Sequence, residues 1–114
     1  MINGAHVIIY SRDAHADRAF IRDVLGFAHV DAGGGWLIFA LPPAELAVHP
    51  TEERPHHEFY LMCDDLDETL ASLAAKGYTG APISEVGWGR LSSITLPSQA
   101  ELPLYQPLHP VARA

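Results

Sequence analysis

Residues 5–27 read AHVIIYSRDAHADRAFIRDVLGF, and the reading of this stretch decides the fold. It predicts a strand over 6–10, a helix opened by Asp13, and a stop at Leu25-Gly26-Phe27. The same plan returns at residues 57–78, HEFYLMCDDLDETLASLAAKGY, with a strand over 58–62, a helix opened by Asp65 and a stop at Gly77. His6 and Glu58 each stand seven residues before the helix-opening Asp of their unit. Further out, LPPAELAVHP at 41–50 answers LPSQAELPLYQP at 96–107, which sets Glu45 over Glu101. A repeat at this period predicts a duplicated structural unit.

Between these anchors the chain alternates strands with turns. Gly33-Gly34-Gly35 leads into a predicted strand over 36–41, and Pro42-Pro43 precedes a short one over 45–49. No helix with a Lys or Ser/Thr follows the glycines, so they read as a hairpin loop and not as a phosphate cradle. TEERP at 51–55 is a polar linker at the seam of the repeat. The second helix has Asp65 and Glu68 in capping-box spacing and a predicted buried stripe of Leu66, Leu70, Leu73 and Ala74. A loop at 86–89 precedes predicted strands over 91–96 and 101–105. Strand, helix, then strands, twice over, is an α+β arrangement of antiparallel or mixed sheets covered by helices on one side.

Composition narrows the function classes. The 114 residues make one domain, with modules at about 1–50 and 55–107, the linker 51–55 and a tail at 108–114. Seven Lys and Arg against fourteen Asp and Glu give a formal charge of -7, which disfavours nucleic acid. No apolar run approaches the roughly 20 residues of a membrane span, and the N-terminus shows no basic and apolar leader. Cys63 is the single cysteine, as suits a cytoplasmic protein.

HVIIYSRDAHADRAFIRDVLGF, FYLMCDDLDETLASLAAKGY, GWGR and ELPLYQP together resemble the vicinal oxygen chelate superfamily, which includes glyoxalase I, extradiol dioxygenases and the bleomycin-resistance proteins. The resemblance covers nearly the whole chain. It implies paired βαβββ modules whose curved sheets surround a cavity, and a homodimer. It also implies a divalent metal (Mn, Fe, Mg, Ni or Zn) held by one residue from each of four strands, commonly two His and two Glu. Carried onto this chain, that set is His6, Glu45, Glu58 and Glu101, with Glu101 also placed to act as the catalytic base. Glu58 stands where a second His is expected, and His57 is one step out of register. The turn before Glu101 is Leu-Pro-Ser-Gln-Ala, and aligning on Leu-Tyr-Gln instead sets Pro103 in the ligand place.

Strand parity bears on these assignments without the resemblance. Side chains two apart share a face, so Val7 and Ile9, Leu46 and Val48, Phe59 and Leu61, and Leu102 and Leu104 would pack under the helices. His6, Glu45, Glu58 and Glu101 then face away from that core, whereas His57 shares the face of Phe59. Trp36, Tyr60, Met62, Trp88 and Tyr105 are the candidate substrate-binding residues, with Trp36 and Tyr60 on the cavity parity as stacking partners. Cys63 reads as inert core; His15, His29, His49, His56 and His109 read as surface or loop residues.

Three function classes follow. The first is a metal-dependent lyase, isomerase or dioxygenase acting on a small molecule with adjacent oxygens, for which one imidazole and several carboxylates suit a hard divalent ion. The second is a metal-free protein that binds and sequesters a cationic or aromatic compound, of the bleomycin-resistance type. The third is a structural dimer whose cavity carries no chemistry. The four-position polar repeat favours the first; the missing second His and the altered turn favour the second.

Overall fold

In the computed structural model, which describes residues 6–45 and 47–112, two helices cover one face of a four-stranded mixed sheet. The first helix, α1 (Ala14–Phe20), begins where the Asp13 carboxylate accepts the Ala16 N–H at 3.1 Å. It continues as a π-helical turn, Ile21–Leu25, and stops at Gly26, whose φ of 71° is left-handed. Glycine adopts that conformation at little cost, which makes it a good helix terminator. A hairpin follows, β1 (His29–Asp31) paired antiparallel with β2 (Leu37–Phe39).

The second half supplies the main sheet. Its strands are β3 (Leu61–Met62), β4 (Ser84–Val86), β5 (Gly89–Thr95) and β6 (Glu101–Pro107), in the spatial order β3-β6-β5-β4. β3 runs parallel to β6, which the intervening helix α2 (Leu66–Ala75) makes possible. The other neighbours are antiparallel. Asp65 caps α2 by accepting the Glu68 N–H at 3.1 Å, and the Gln106 side chain accepts the Leu66 N–H at 2.9 Å, fixing the helix start against β6.

Leu66 and Leu73 of α2 meet Ile94, Leu96, Leu102 and Leu104 of the sheet, and Phe20 of α1 completes this core at 2% exposure. Phe20 sets its ring edge-on to Tyr78, with centroids 4.8 Å apart. Asp17 anchors α1 to the β5–β6 turn: its buried carboxylate accepts the Ser98 N–H at 3.1 Å and the Ser98 hydroxyl at 2.7 Å. The parity expectation holds in this half, since Phe59, Leu61, Leu102 and Leu104 all belong to the core side.

Several expectations are corrected. Residues 6–10 and the described part of 45–49 form no strand, and Val7 and Ile9 are 46% and 38% exposed instead of packed. An extended segment becomes a strand only beside another edge, and neither segment has one in the single chain. The strand expected over 58–62 shortens to Leu61–Met62, and that over 36–41 to Leu37–Phe39. Ala74 is exposed and lies outside the α2 stripe. The expected packing of Leu46 falls outside the described residues. Among the described residues no helix is long and apolar enough to cross a membrane.

Candidate functional site

The face of the sheet away from the helices carries a cluster of aromatic rings. On β6 the residues opposite the core-facing Leu102 and Leu104 are Glu101, Pro103 and Tyr105. Tyr105 lies across from Leu91 of β5 and level with Met62 of β3. Trp88 sits in the tight β4–β5 turn, so its indole reaches Tyr105 at 5.4 Å between centroids. Tyr60, just before β3, reaches Tyr105 at 5.5 Å and Trp88 at 6.2 Å. All three contacts are edge-to-face, the arrangement that sets the positive edge of one ring against the negative face of the next.

Two imidazoles extend the cluster. His49 meets Trp88 edge-on at 6.1 Å, and His109 stacks on Tyr105 at 6.1 Å with 28° between planes. His109 Nδ1 lies 2.7 Å from the Pro110 carbonyl, which can only accept, so Nδ1 carries the proton. Nε2 lies 3.4 Å from the Tyr105 hydroxyl. The chain is turned back over the rings by the Leu108 N–H, which donates to the Trp88 carbonyl at 2.9 Å.

Two carboxylates border the rings. Glu45 lies 3.5 Å from the Tyr105 hydroxyl and accepts the Ala112 N–H at 2.7 Å. Glu58 lies 3.5 Å from the Tyr60 hydroxyl. Burial, followed by the charge of Glu58 and its hydrogen bond, raises the Tyr60 pKa. Cys63, half-buried between α2 and β6, is also raised, chiefly by burial.

The four expected metal ligands are not brought together. Glu101 is exposed and accepts the Thr95 hydroxyl at 3.0 Å, four residues and so about 13 Å along β6 from Tyr105, where Glu45 is held. His6 is exposed on an unpaired segment. Among the described residues no three His, Cys, Asp or Glu side chains form a group able to hold a metal ion. The donor set therefore does not fit a metal within one chain.

Of the expected substrate-binding residues, Tyr60, Trp88 and Tyr105 meet in the cluster, and Met62 lies beside Tyr105 in the β3–β6 ladder. Trp36 is elsewhere, under the Arg18 guanidinium at 4.6 Å. His49 and His109 were not expected at the site. The one local signal for His109 is Pro107, which ends β6 and lets the chain reverse.

No family model matches the chain, and no curated protein matches it in sequence. Solved structures do. TnmS3, an antibiotic binding protein from Streptomyces sp. CB03234, is 22% identical, with 94% of this chain and 99% of that one covered and a TM-score of 0.64. Lactoylglutathione lyase from Agrobacterium tumefaciens is 18% identical, with 91% and 92% covered and a TM-score of 0.67. The chain has the glyoxalase-like fold. Within that fold, the aromatic cluster occupies the side of the sheet left open by the helices.

Proposed function

We propose that this protein binds a small aromatic molecule, of the kind represented by antibiotics, between Tyr60, Trp88 and Tyr105. The observation that carries this reading is the ring network centred on Tyr105, bordered by Glu45 and Glu58. Aromatic edges and faces offer stacking surface at low entropic cost, and the two carboxylates favour a cationic substituent on the ligand. The fold shared with an antibiotic binding protein supports the same class. Sequestration needs no bond to be made or broken; it needs a site that removes apolar ligand surface from water.

The test is a fluorescence titration of a panel of planar aromatic cations and matched neutral compounds, in a Trp36→Phe background that leaves Trp88 as the reporter. Saturable quenching that favours cations is expected, and Tyr60→Ala and Tyr105→Ala, which keep the Trp88 reporter, should each weaken binding at least tenfold. Equal weak quenching by every compound would overturn the reading.

A second reading, metal-dependent catalysis on vicinal oxygens, is favoured by one observation. Continuing the parallel register of Leu61 with Leu104 and Met62 with Tyr105 by three residues sets Glu58 level with Glu101 on the open face. His6 and Glu45 would then have to be supplied by pairing with a second copy. The exposed Val7, Ile8 and Ile9 support such a homodimer, in which both halves complete a βαβββ unit. Titrating Mn²⁺, Fe²⁺, Ni²⁺ and Zn²⁺ against the thermal melt tests it, because an ion bound only by the folded state raises its stability. No shift with any of them rejects it. The single, half-buried Cys63 accords with a reducing, cytoplasmic setting.

A further inference from the structure

On the helix side of the first hairpin lies a cleft of about 190 Å³ between α1 and the β1–β2 strands, lined among others by His15, Arg18, Arg22, Asp31 and Leu37. The cleft is separate from the aromatic cluster and plays no part in the function proposed above. It is smaller than the roughly 300–1,000 Å³ of sites that take drug-sized molecules, so it suits a single small group. His15, Arg18 and Arg22 stand three and four residues apart, which places them along one side of the helix.

The charges in the cleft are unevenly committed. Asp23 takes the Arg22 guanidinium through two hydrogen bonds of 2.7 and 2.8 Å, the first from Nε and the second from Nη2. Asp31 turns its carboxylate into the hairpin loop, where it accepts the Gly33 N–H at 2.7 Å and the Gly35 N–H at 3.2 Å. Arg18 has no carboxylate partner among the described residues, in a chain that carries twice as many acids as Lys and Arg. It is half-buried, and its guanidinium carbon lies over the Trp36 ring, 4.6 Å from the centroid. A cation–π contact holds the guanidinium against the ring and leaves its N–H groups available as donors.

We propose that this cleft is a binding site for a small oxyanion, a carboxylate or phosphoryl group, taken by the edge of Arg18 with His15 and Arg22 alongside. A planar fork preordered on an aromatic face loses less entropy on binding than a free side chain, and a bidentate charge-assisted pair is the strong form of the contact. Asp31 opposes an anion by its charge, and its two glycine N–H bonds reduce that opposition without removing it.

Inorganic phosphate and acetate serve as separate probes, each titrated at constant ionic strength into the nitrogen-labelled full chain and followed by amide spectra. The expected result is saturable shifts confined to the Gly33–Gly35 amides, the Trp36 indole N–H and the Arg18 Nε–H. Saturation by phosphate alone assigns the phosphoryl class, and by acetate the carboxylate class. Arg18→Gln should weaken binding at least tenfold, and Arg18→Lys, which keeps the charge but loses the fork, should weaken it less. Arg22→Gln, which removes a guanidinium already paired with Asp23, should weaken binding less than Arg18→Gln. Non-saturating drift, the same shifts with chloride, or unchanged binding in Arg18→Gln overturns the proposal.

Discussion

At the scale of single residues, Asp17 carries the largest structural demand. A buried carboxylate is tolerable only while its hydrogen bonds are made, and Ser98 supplies both of those seen here. Asp17→Ala should therefore cost about 2–3 kcal/mol, the range of a lost hydrogen bond to a charged group, while Asp17→Asn should cost less because it keeps an acceptor. Urea unfolding of the two variants checks the order. Tyr60 makes a pH prediction. Its pKa is raised in the folded state, so the fold holds the phenol proton more tightly than the unfolded chain does. The associated stability is complete below the ordinary tyrosine pKa of about 10 and is lost as pH rises through the higher folded value. In an alkaline absorbance titration, Tyr60→Phe should remove a phenol that titrates above the ordinary tyrosine range and flatten the alkaline decline in melting temperature.

At the scale of elements, the β5–β6 pair shapes the site. Gly89 sits opposite Pro107, and a Cβ there would come to 3.0 Å from the Gln106 carbonyl oxygen and 3.2 Å from Tyr105 Cδ2. Both contacts are tighter than ordinary packing, and the tyrosine ring is the part that can yield. Gly89→Ala should thus weaken aromatic ligand binding more than it lowers the melting temperature, a split that fluorescence titration and calorimetry on one preparation will show. The second half was legible in the sequence because its signals are local: the Asp65 cap, the Gly77 stop and the alternation of Leu102 and Leu104 with Glu101 and Tyr105. The strand over 6–10 was read from the same alternation, yet a strand also needs a neighbour, which no local pattern can supply. The hairpin residues His29–Asp31 and the edge strand Ser84–Val86 escaped notice because three mostly polar, exposed residues carry no period. Tyr60, Trp88 and Tyr105 could be nominated as site residues from parity and composition, whereas His49 and His109 reach the rings through tertiary placement that no local pattern signals.

For the molecule as a whole, the two halves are unequally finished. The buried core draws on the second half almost entirely, with Phe20 and the π-helical turn docked onto it. The first half presents Val7, Ile8, Ile9, Val30 and Ile38 to solvent. A second copy that paired with these segments would bury them, so sedimentation at micromolar concentration should give twice the mass of the 12.4 kDa chain. Ile8→Glu, at the most exposed of the three N-terminal aliphatics, should return the sedimenting species to the mass of one chain without unfolding the main sheet.

The order of strands in that sheet also sets a schedule for making the protein. β6 comes last in the chain, yet it lies between β3 and β5. On the ribosome β3 therefore emerges with no partner, and the stretch from Met62 to Pro107 takes on the order of seconds at roughly 5–20 residues per second. Until β6 is made, the apolar side of α2 lacks the part of its cover that Leu102 and Leu104 supply. The nascent chain is then a natural client for holding chaperones, and release of the final strand is the event that closes the sheet.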